Sequence, residues 1–482
     1  MKACSKAVIG GVLDRFYAMC AFPHGSWNEE ALVTWMEGEL KRRGWTVFRD
    51  NKGNLRADIP ATPGREDAPL AVVQGHLDMV CAHGDGWDPK RDTVNAFVED
   101  GVLRTDLRSS LGADNNLGNA AALWLLDTEF VHGPIRLLLT VAEEVGLQGA
   151  SAMDPSWLEG ARYMINTDGF KLGRAVIASA GGRREEFSRE IEFVPSGFAR
   201  GWKVEVSGSK GGHSGDDINR GRANCICLLA MFLKKLREEM DYGLADLTGG
   251  HALNAIPLEA AALILTEEGR EAQLRQAVEE FNEKLRSVYG RADPDVRMTV
   301  SEASAPGSVM APGDQSSLLM LIGLLHSGVF SMHTDIPGLV SASCNTGVVR
   351  TEQGKASVIN YTRTALEFDG EMILHRHLCA ARLTGFSLSY GGYPSWNGDR
   401  NAPMIRAMAD IYREITGEEL EITGVHVGLE PAVLGAMNPS MEMVVTGPEI
   451  LDPHSVNERA PVEGLPVYTE LLRRTLEWIA EQ

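Results

Sequence analysis

Residues 70–80 read Leu70-Ala-Val-Val-Gln74-Gly-His76-Leu-Asp78-Met-Val80, an apolar run ending in a histidine and a carboxylate. Two further stretches follow the same plan. Ile135-Arg-Leu-Leu-Leu-Thr-Val141 runs into Ala142-Glu-Glu-Val145, and Arg162-Tyr-Met-Ile165 runs into Asn166-Thr-Asp168. A fourth motif, Leu111-Gly-Ala-Asp-Asn115, instead precedes a helical pattern over Leu117–Leu126. Strand, polar loop and helix in repetition predict an open parallel sheet, in which the loops at the carboxyl ends of the strands meet in one crevice. Imidazole and carboxylate oxygens gathered there suit zinc, cobalt or manganese. The pattern points to a metal-dependent hydrolase.

Each motif also has a bland reading. His76-x-Asp78 could be a surface loop pair, although a ligating imidazole commonly gives its other N–H to a nearby carboxylate. Asp114, just before a helix, could be an N-cap. Capping alone does not explain Gly112 and Gly118, which let backbone approach closely. Asp168-Gly169 is a common turn pair. Glu143-Glu144 is harder to set aside, because adjacent carboxylates at the end of a buried strand cost free energy unless a cation or hydrogen bonds offset it. One could bind a metal while the other takes a proton from water. Asp452-Pro-His454-Ser455 supplies a second loop histidine.

Length and composition frame these motifs. A chain of 482 residues exceeds one core and predicts two domains. Hydrophobic residues at 44% and charged residues at 23% are those of an ordinary globular protein. The net charge of −20, with no basic cluster, argues against a nucleic-acid partner. Ala7–Leu13 is apolar for only seven residues before Asp14-Arg15, so an amphipathic helix is expected there rather than a signal peptide. No run approaches the ~18 apolar residues of a membrane span. Seven cysteines without framework spacing fit reduced thiols in a cytoplasm, with Cys225 and Cys227 as packed thiols.

Helices are expected at about 5–20, 28–43, 219–240, 268–289, 315–325, 371–383, 402–416 and from about 461. After Gly181-Gly182 the period changes, and Trp202-Lys-Val-Glu-Val206 alternates as a half-exposed strand does. Strands interleaved with helices then predict an α+β layer, and Gly391-Gly-Tyr-Pro-Ser395 a turn-rich linker. The resulting architecture is α/β. A catalytic domain with a mainly parallel sheet flanked by helices (residues 1–186 and 396–482) is interrupted by an inserted α+β lid and dimerisation domain (187–395).

Taken in order, the motifs resemble the M20 metallopeptidase family, and most closely its cytosolic aminoacyl-histidine dipeptidase branch. The resemblance rests on Gly75–Val80, Ser110–Asn115, Ser209-Lys-Gly-Gly-His-Ser-Gly215, Asn254-Ala-Ile-Pro257, Val425-His-Val-Gly-Leu-Glu430, Gly447-Pro448 and Pro453-His-Ser455. It implies two Zn2+ ions per chain, with Co2+ or Mn2+ as alternatives. His76 and Asp168 would hold one ion, Glu144 and His454 the other, and Asp114 would bridge them. Glu143 would be the general base and Asp78 the partner of His76. His213 would stabilise the oxyanion, reaching with Asn254 into a neighbouring active site of a homodimer formed through the lid. Arg363, His426 and the backbone at Gly428 would hold the substrate, Arg363 through a bidentate fork on its carboxylate. The implied activity is cleavage of dipeptides, of the Xaa-His type, in the cytoplasm. The alternatives are an N-acyl amino acid deacylase or broader peptidase of the same fold, and a non-catalytic binding homologue. Three departures, Asn116, Pro431-Ala432 and Val456-Asn457, remove no proposed ligand and bear on the side-chain pocket. His375 and His377, two apart on a helix, cannot share a face, and His24, His83, His132, His251, His326 and His333 lack a carboxylate motif.

Overall fold

The computed structural model describes residues 2–482, and the chain forms two compact units. The first comprises residues up to Ser179, Trp396–Gly424 and Gly428–Gln482; the second comprises Ala180–Ser395 and Val425–Val427.

At the centre of the first unit is a nine-stranded sheet. Its order is Thr46–Arg49, Leu55–Ile59, Ile135–Thr140, Leu70–His76, Ala161–Asn166, Glu442–Val445, Arg174–Ser179 and Trp396–Asn397, and a strand beginning at Glu421 pairs beside this path. Along this order the four strands from Ile135–Thr140 to Glu442–Val445 pair in parallel. The flanking pairs are antiparallel, so the sheet is mixed around a parallel centre. The central strands are buried on both faces, as their continuous apolar runs require. Alternate residues Ala71, Val73, Ile135, Leu137, Leu139, Tyr163 and Ile165 join one core with helices Lys2–Cys20, Glu30–Arg42, Ala113–Leu126, Pro403–Thr416 and Leu465–Ile479. The period of two leaves Val72, Leu138 and Met164 buried on the opposite face. Register aligns His76 with Thr140, and Gln74 with both Leu138 and Asn166. The loops leaving three strands therefore start at one level.

The second unit has its own nine-stranded sheet, entirely antiparallel, in the order Arg297–Ala303, Arg200–Ser207, Ala260–Thr266, Gly243–Gly249, Val340–Glu352, Lys355–Thr364, Gly181–Glu190 and Ser387–Tyr393, with Gly328–Met332 pairing Val340–Glu352 beside this path. Trp202, Val204 and Val206 are buried in a core with helices Cys225–Glu239, Glu271–Tyr289 and Pro312–Leu324, while Lys203 is exposed.

Three local expectations differ from the structure. The boundary expected at 186/187 falls inside the strand Gly181–Glu190. The glycines and proline near 391–395 masked the strand Ser387–Tyr393, an edge strand, where such residues are tolerated. The helix expected from 219 begins at Cys225, where Asn224 accepts a side-chain cap bond from the Cys227 N–H at 3.2 Å.

Candidate active site

In the first unit the parallel strands deliver their loops to one place. His76 is the last residue of its strand and is buried. Its Nδ1 lies 3.0 Å from the Asp78 carbonyl and 3.5 Å from Asp78 Oδ1. Its Nε2 faces the other way, 3.1 Å from Asp114 Oδ1 and 3.5 Å from Asp168 Oδ1. Asp78, fully buried, accepts the N–H of Glu143 at 3.0 Å, that of Glu144 at 3.2 Å and the Ser26 hydroxyl at 2.8 Å. One carboxylate thus ties the loop after His76 to the loop holding the paired glutamates. Burial would push Asp78 up, but His76 and these donors hold it below the usual carboxylate range.

Asp114 has non-helical backbone angles inside the helix Ala113–Leu126, and its side chain caps nothing. Oδ1 turns to His76 and Oδ2 to His454 Nε2, at 2.9 Å. The capping expected of Asp114 falls to Glu458, which accepts the N–H groups of Leu111, Gly112 and Asp114. Gly112 has φ +68°, which its lack of a Cβ permits, and a Cβ on Gly118 would stand 2.5 Å from the Thr167 carbonyl. His454, in a loop with Leu451 and Arg459 bridged at its base, also lies 3.1 Å from Glu144 Oε1.

Three sets of side chains could each hold a cation, with ligand atoms within 4.8 Å of one another: His76, Asp114 and Asp168; Asp114, Glu144 and His454; and His76, Glu143 and Glu144. The donor set, two imidazoles among several carboxylates, suits zinc-class ions. Two buried carboxylate oxygens of these sets, Glu144 Oε1 and Asp168 Oδ1, accept no well-aligned hydrogen bond, the nearest imidazole nitrogens standing off-line at 3.1 and 3.5 Å, a costly state that a cation would relieve. The titration pattern agrees. Burial, then the neighbouring Asp114 carboxylate, raises Asp168 well above its ordinary range, and the same two causes raise Glu144. Burial and the surrounding acids Glu144, Asp168 and Glu430 raise Glu143 well above its own. Burial would lower the imidazoles, yet the carboxylates outweigh it, lifting His76 well up and His454 to about 11. In the absence of cations, protons carry the positive charge that this cluster demands.

A pH dependence follows. Glu458 titrates at about 7 in the fold against 4.5 in a free side chain, because of its burial and the Asp114 charge. A folded acid with a raised pKa binds protons more tightly than the unfolded chain, so stability falls as pH rises from 4.5 through 7, by at most about 3 kcal/mol for this group. His454 acts in the same direction, since stability present below 6.5 is lost as pH climbs toward 11. The chelator-treated protein should therefore unfold at lower urea at pH 8.5 than at pH 6, and added Zn2+ should reverse the loss. Stability that increases over that interval in the chelated protein would contradict this account.

Sequence reasoning missed several supports. Glu29 accepts the Ala142 N–H at 3.0 Å, and Asn115 Oδ1 accepts the His76 N–H at 3.1 Å. Glu430, buried, accepts from Gln74 and Thr140 on two central strands. Asn115 and Glu430 stand within the sequence motifs, but none of these roles has a local sequence signal, because each bond joins residues at least 39 positions apart.

The remaining expected residues, Gly428 apart, lie in the second unit. Arg363 Nη2 is 3.2 Å from His213 Nε2, and the guanidinium lies over the Tyr361 ring at 4.8 Å. His426 Nε2 is 2.7 Å from the Ser343 hydroxyl, and burial followed by the Arg363 charge lowers its pKa to about 3. Asn254 is exposed, its carbonyl accepting the Ser214 N–H at 2.8 Å. Gly428 is half-buried in the first unit. His251 is exposed beside Glu259, and His377 is buried against Glu185. Among the described residues, no helix is long and apolar enough to cross a membrane.

Comparison with known proteins places this geometry in context. The sequence profile of peptidase family M20/M25/M40 matches residues 72–478. The chain is 32% identical over 474 residues to the cytosol non-specific dipeptidase of Escherichia coli (strain K12), covering 97% of each. The structure matches the aminoacylhistidine dipeptidase of Vibrio alginolyticus with a TM-score of 0.85 at 30% identity, covering 97% of this chain and 96% of that one. The aminopeptidase PepT of Bacillus cereus, at 15% identity and a TM-score of 0.57 over 98% and 99% of the two chains, shares the fold.

Proposed function

Because the chain belongs to peptidase family M20/M25/M40, we propose that it is a dipeptidase dependent on two divalent cations. The observation that carries this reading is the convergence of His76, Asp114, Glu144, Asp168 and His454 with two unpartnered buried carboxylate oxygens. His76 and Asp168 would hold one ion and Glu144 and His454 the other, with Asp114 common to both sets; zinc is the ion assigned, with Co2+ or Mn2+ as substitutes. When bound, such a pair polarises a carbonyl and lowers the pKa of water.

The side chains supply the rest. Asp78, beside His76 Nδ1, sets the orientation and basicity of that imidazole. Glu143 takes the proton of the attacking water on its carboxylate and passes it to the leaving amine. His213 donates to the oxyanion, and Asn254 and His426 orient the dipeptide. Arg363 and the Gly428 backbone take its terminal carboxylate, Arg363 with the planar fork that matches it. The second unit, Ala180–Ser395 with Val425–Val427, acts as the lid, through which the enzyme forms a homodimer, and His213, 3.2 Å from Arg363 in the same chain, serves the substrate that Arg363 holds. The compartment assigned is the cytoplasm, in keeping with the cytosolic relative of Escherichia coli.

The two dipeptidase relatives carry different names, one non-specific and one for aminoacylhistidine substrates. Xaa-His dipeptides are the preferred substrates on our reading. The test is metal analysis of the purified chain combined with hydrolysis of Xaa-His dipeptides, other dipeptides, tripeptides and N-acetyl amino acids. Two ions per chain and preferential cleavage of dipeptides are expected. Failure to cleave any dipeptide with two ions bound would reject the assignment, and faster release of acetate would favour a deacylase. Arg363→Met should raise KM for a free dipeptide about 10- to 100-fold, the loss of a charged hydrogen-bonded anchor. It should leave a C-terminally amidated dipeptide nearly unaffected, and an equal effect on both would remove Arg363 from the carboxylate.

A further inference from the structure

Glu458 stands four residues after His454 and is buried, at 3% exposure. Its Oε2 accepts the N–H groups of Leu111 at 2.8 Å and Gly112 at 2.9 Å, and its Oε1 accepts that of Asp114 at 3.1 Å. They belong to the turn that leads into the helix Ala113–Leu126: Leu111 and Gly112 precede it, Asp114 has non-helical angles, and the N-cap residue, a glycine, offers no side-chain acceptor. Opening amides of a helix need an acceptor, and an anion suits that end. Any carboxylate could serve as such a cap. This one belongs to the loop that carries His454. Just beyond Glu458 the loop is closed at its base, where Leu451 and Arg459 exchange backbone hydrogen bonds at 2.8 and 3.0 Å and Arg459 pairs with Asp452. A single carboxylate therefore fixes both the segment that presents Asp114 and the loop that presents His454, whose reactive atoms lie 2.9 Å apart.

We infer that Glu458 is a positioning residue whose carboxylate sets the separation of Asp114 and His454, and with it the affinity of the cation held by Asp114, Glu144 and His454. The inference rests on the two-cation reading of the site. A carboxylate that served only as a helix cap would change the melting temperature and leave cation affinity alone.

The test uses the full-length protein stripped with chelator, titrated with Zn2+ by equilibrium dialysis and with Co2+ by visible absorption. In Glu458→Gln, an amide N–H2 faces backbone donors, so the Asp114 segment should move. The first ion should bind nearly as in the parent, and the second about 10- to 100-fold more weakly, the usual cost of removing a group that orients a ligand. The Co2+ bands of the second equivalent should shift. Glu458→Asp keeps the charge but falls one methylene short of spanning the three amides. It should weaken the second ion to a lesser degree, and it carries the test should the Gln variant not fold. Two ions bound with parental affinity and spectrum in either folded variant would overturn the inference, whatever the melting temperature. A parent chain that binds only one ion would overturn the two-cation reading along with it.

Discussion

Glu143→Gln should lower kcat about 100- to 10,000-fold while both cations remain bound, the range associated with a positioned general base. The substitution preserves shape, and the backbone N–H of residue 143 keeps its bond to Asp78 Oδ1, so the loop should not move. What disappears is a side chain able to accept a proton and return it. In the cation-free site burial and the neighbouring acids raise Glu143 well above an ordinary glutamate, and bound cations would draw it back toward the range in which one carboxyl serves first as base and then as acid. Its neighbour Glu144 points elsewhere, with Oε1 3.1 Å from His454, and cannot substitute without releasing that contact. Steady-state kinetics with metal analysis of the same sample check the expectation. Turnover near the parental rate would assign the proton transfer to another group, and loss of metal would make residue 143 a ligand instead.

The parts of this site that are legible in the sequence share one physical cause. A buried parallel strand must be apolar along its length, so a polar residue at its end is conspicuous; His76, Glu143-Glu144 and Asp168 all stand out in that way. Asp114 was more ambiguous, since an acid before a helix has a common capping role. Its use against two imidazoles is visible only once Glu458 is seen to occupy the capping position from 344 residues away. Ser26 and Glu29 escape notice, and Asn115 and Glu430 stand within the sequence motifs without a visible role, because their partners are chosen by packing and have no local spacing. Apolar periodicity also could not distinguish parallel from antiparallel neighbours. Ile135–Thr140 is buried along its whole length, yet it pairs antiparallel with Leu55–Ile59 on one side and parallel with Leu70–His76 on the other.

The strongest consequence concerns Asp114. Asp114→Asn should reduce bound cation from two ions to fewer than one per chain and bring dipeptide hydrolysis to background. Asp114 is the side chain shared by the set with His76 and Asp168 and the set with Glu144 and His454. Its two oxygens diverge to Nε2 of His76 and of His454, at 3.1 and 2.9 Å. Asparagine keeps the volume but replaces one oxygen with an N–H2 group, which cannot ligate and which repels a cation or a charged imidazole. It also removes the hydrogen bond that does most to raise His454 and one of the two carboxylate charges that hold it at about 11, so the field that attracts cations to this pocket weakens on both sides at once. Glu144→Gln, by contrast, touches one side and should leave about one ion bound. Thermal unfolding gives an independent readout. Zn2+ at 100 times its dissociation constant should stabilise the parent by about 2.7 kcal/mol per site, whereas it should hardly move Asp114→Asn. If that variant kept two ions and its Zn2+-dependent shift, the cations would have to be held by other side chains, and the division of labour among His76, Glu144, Asp168 and His454 would have to be redrawn.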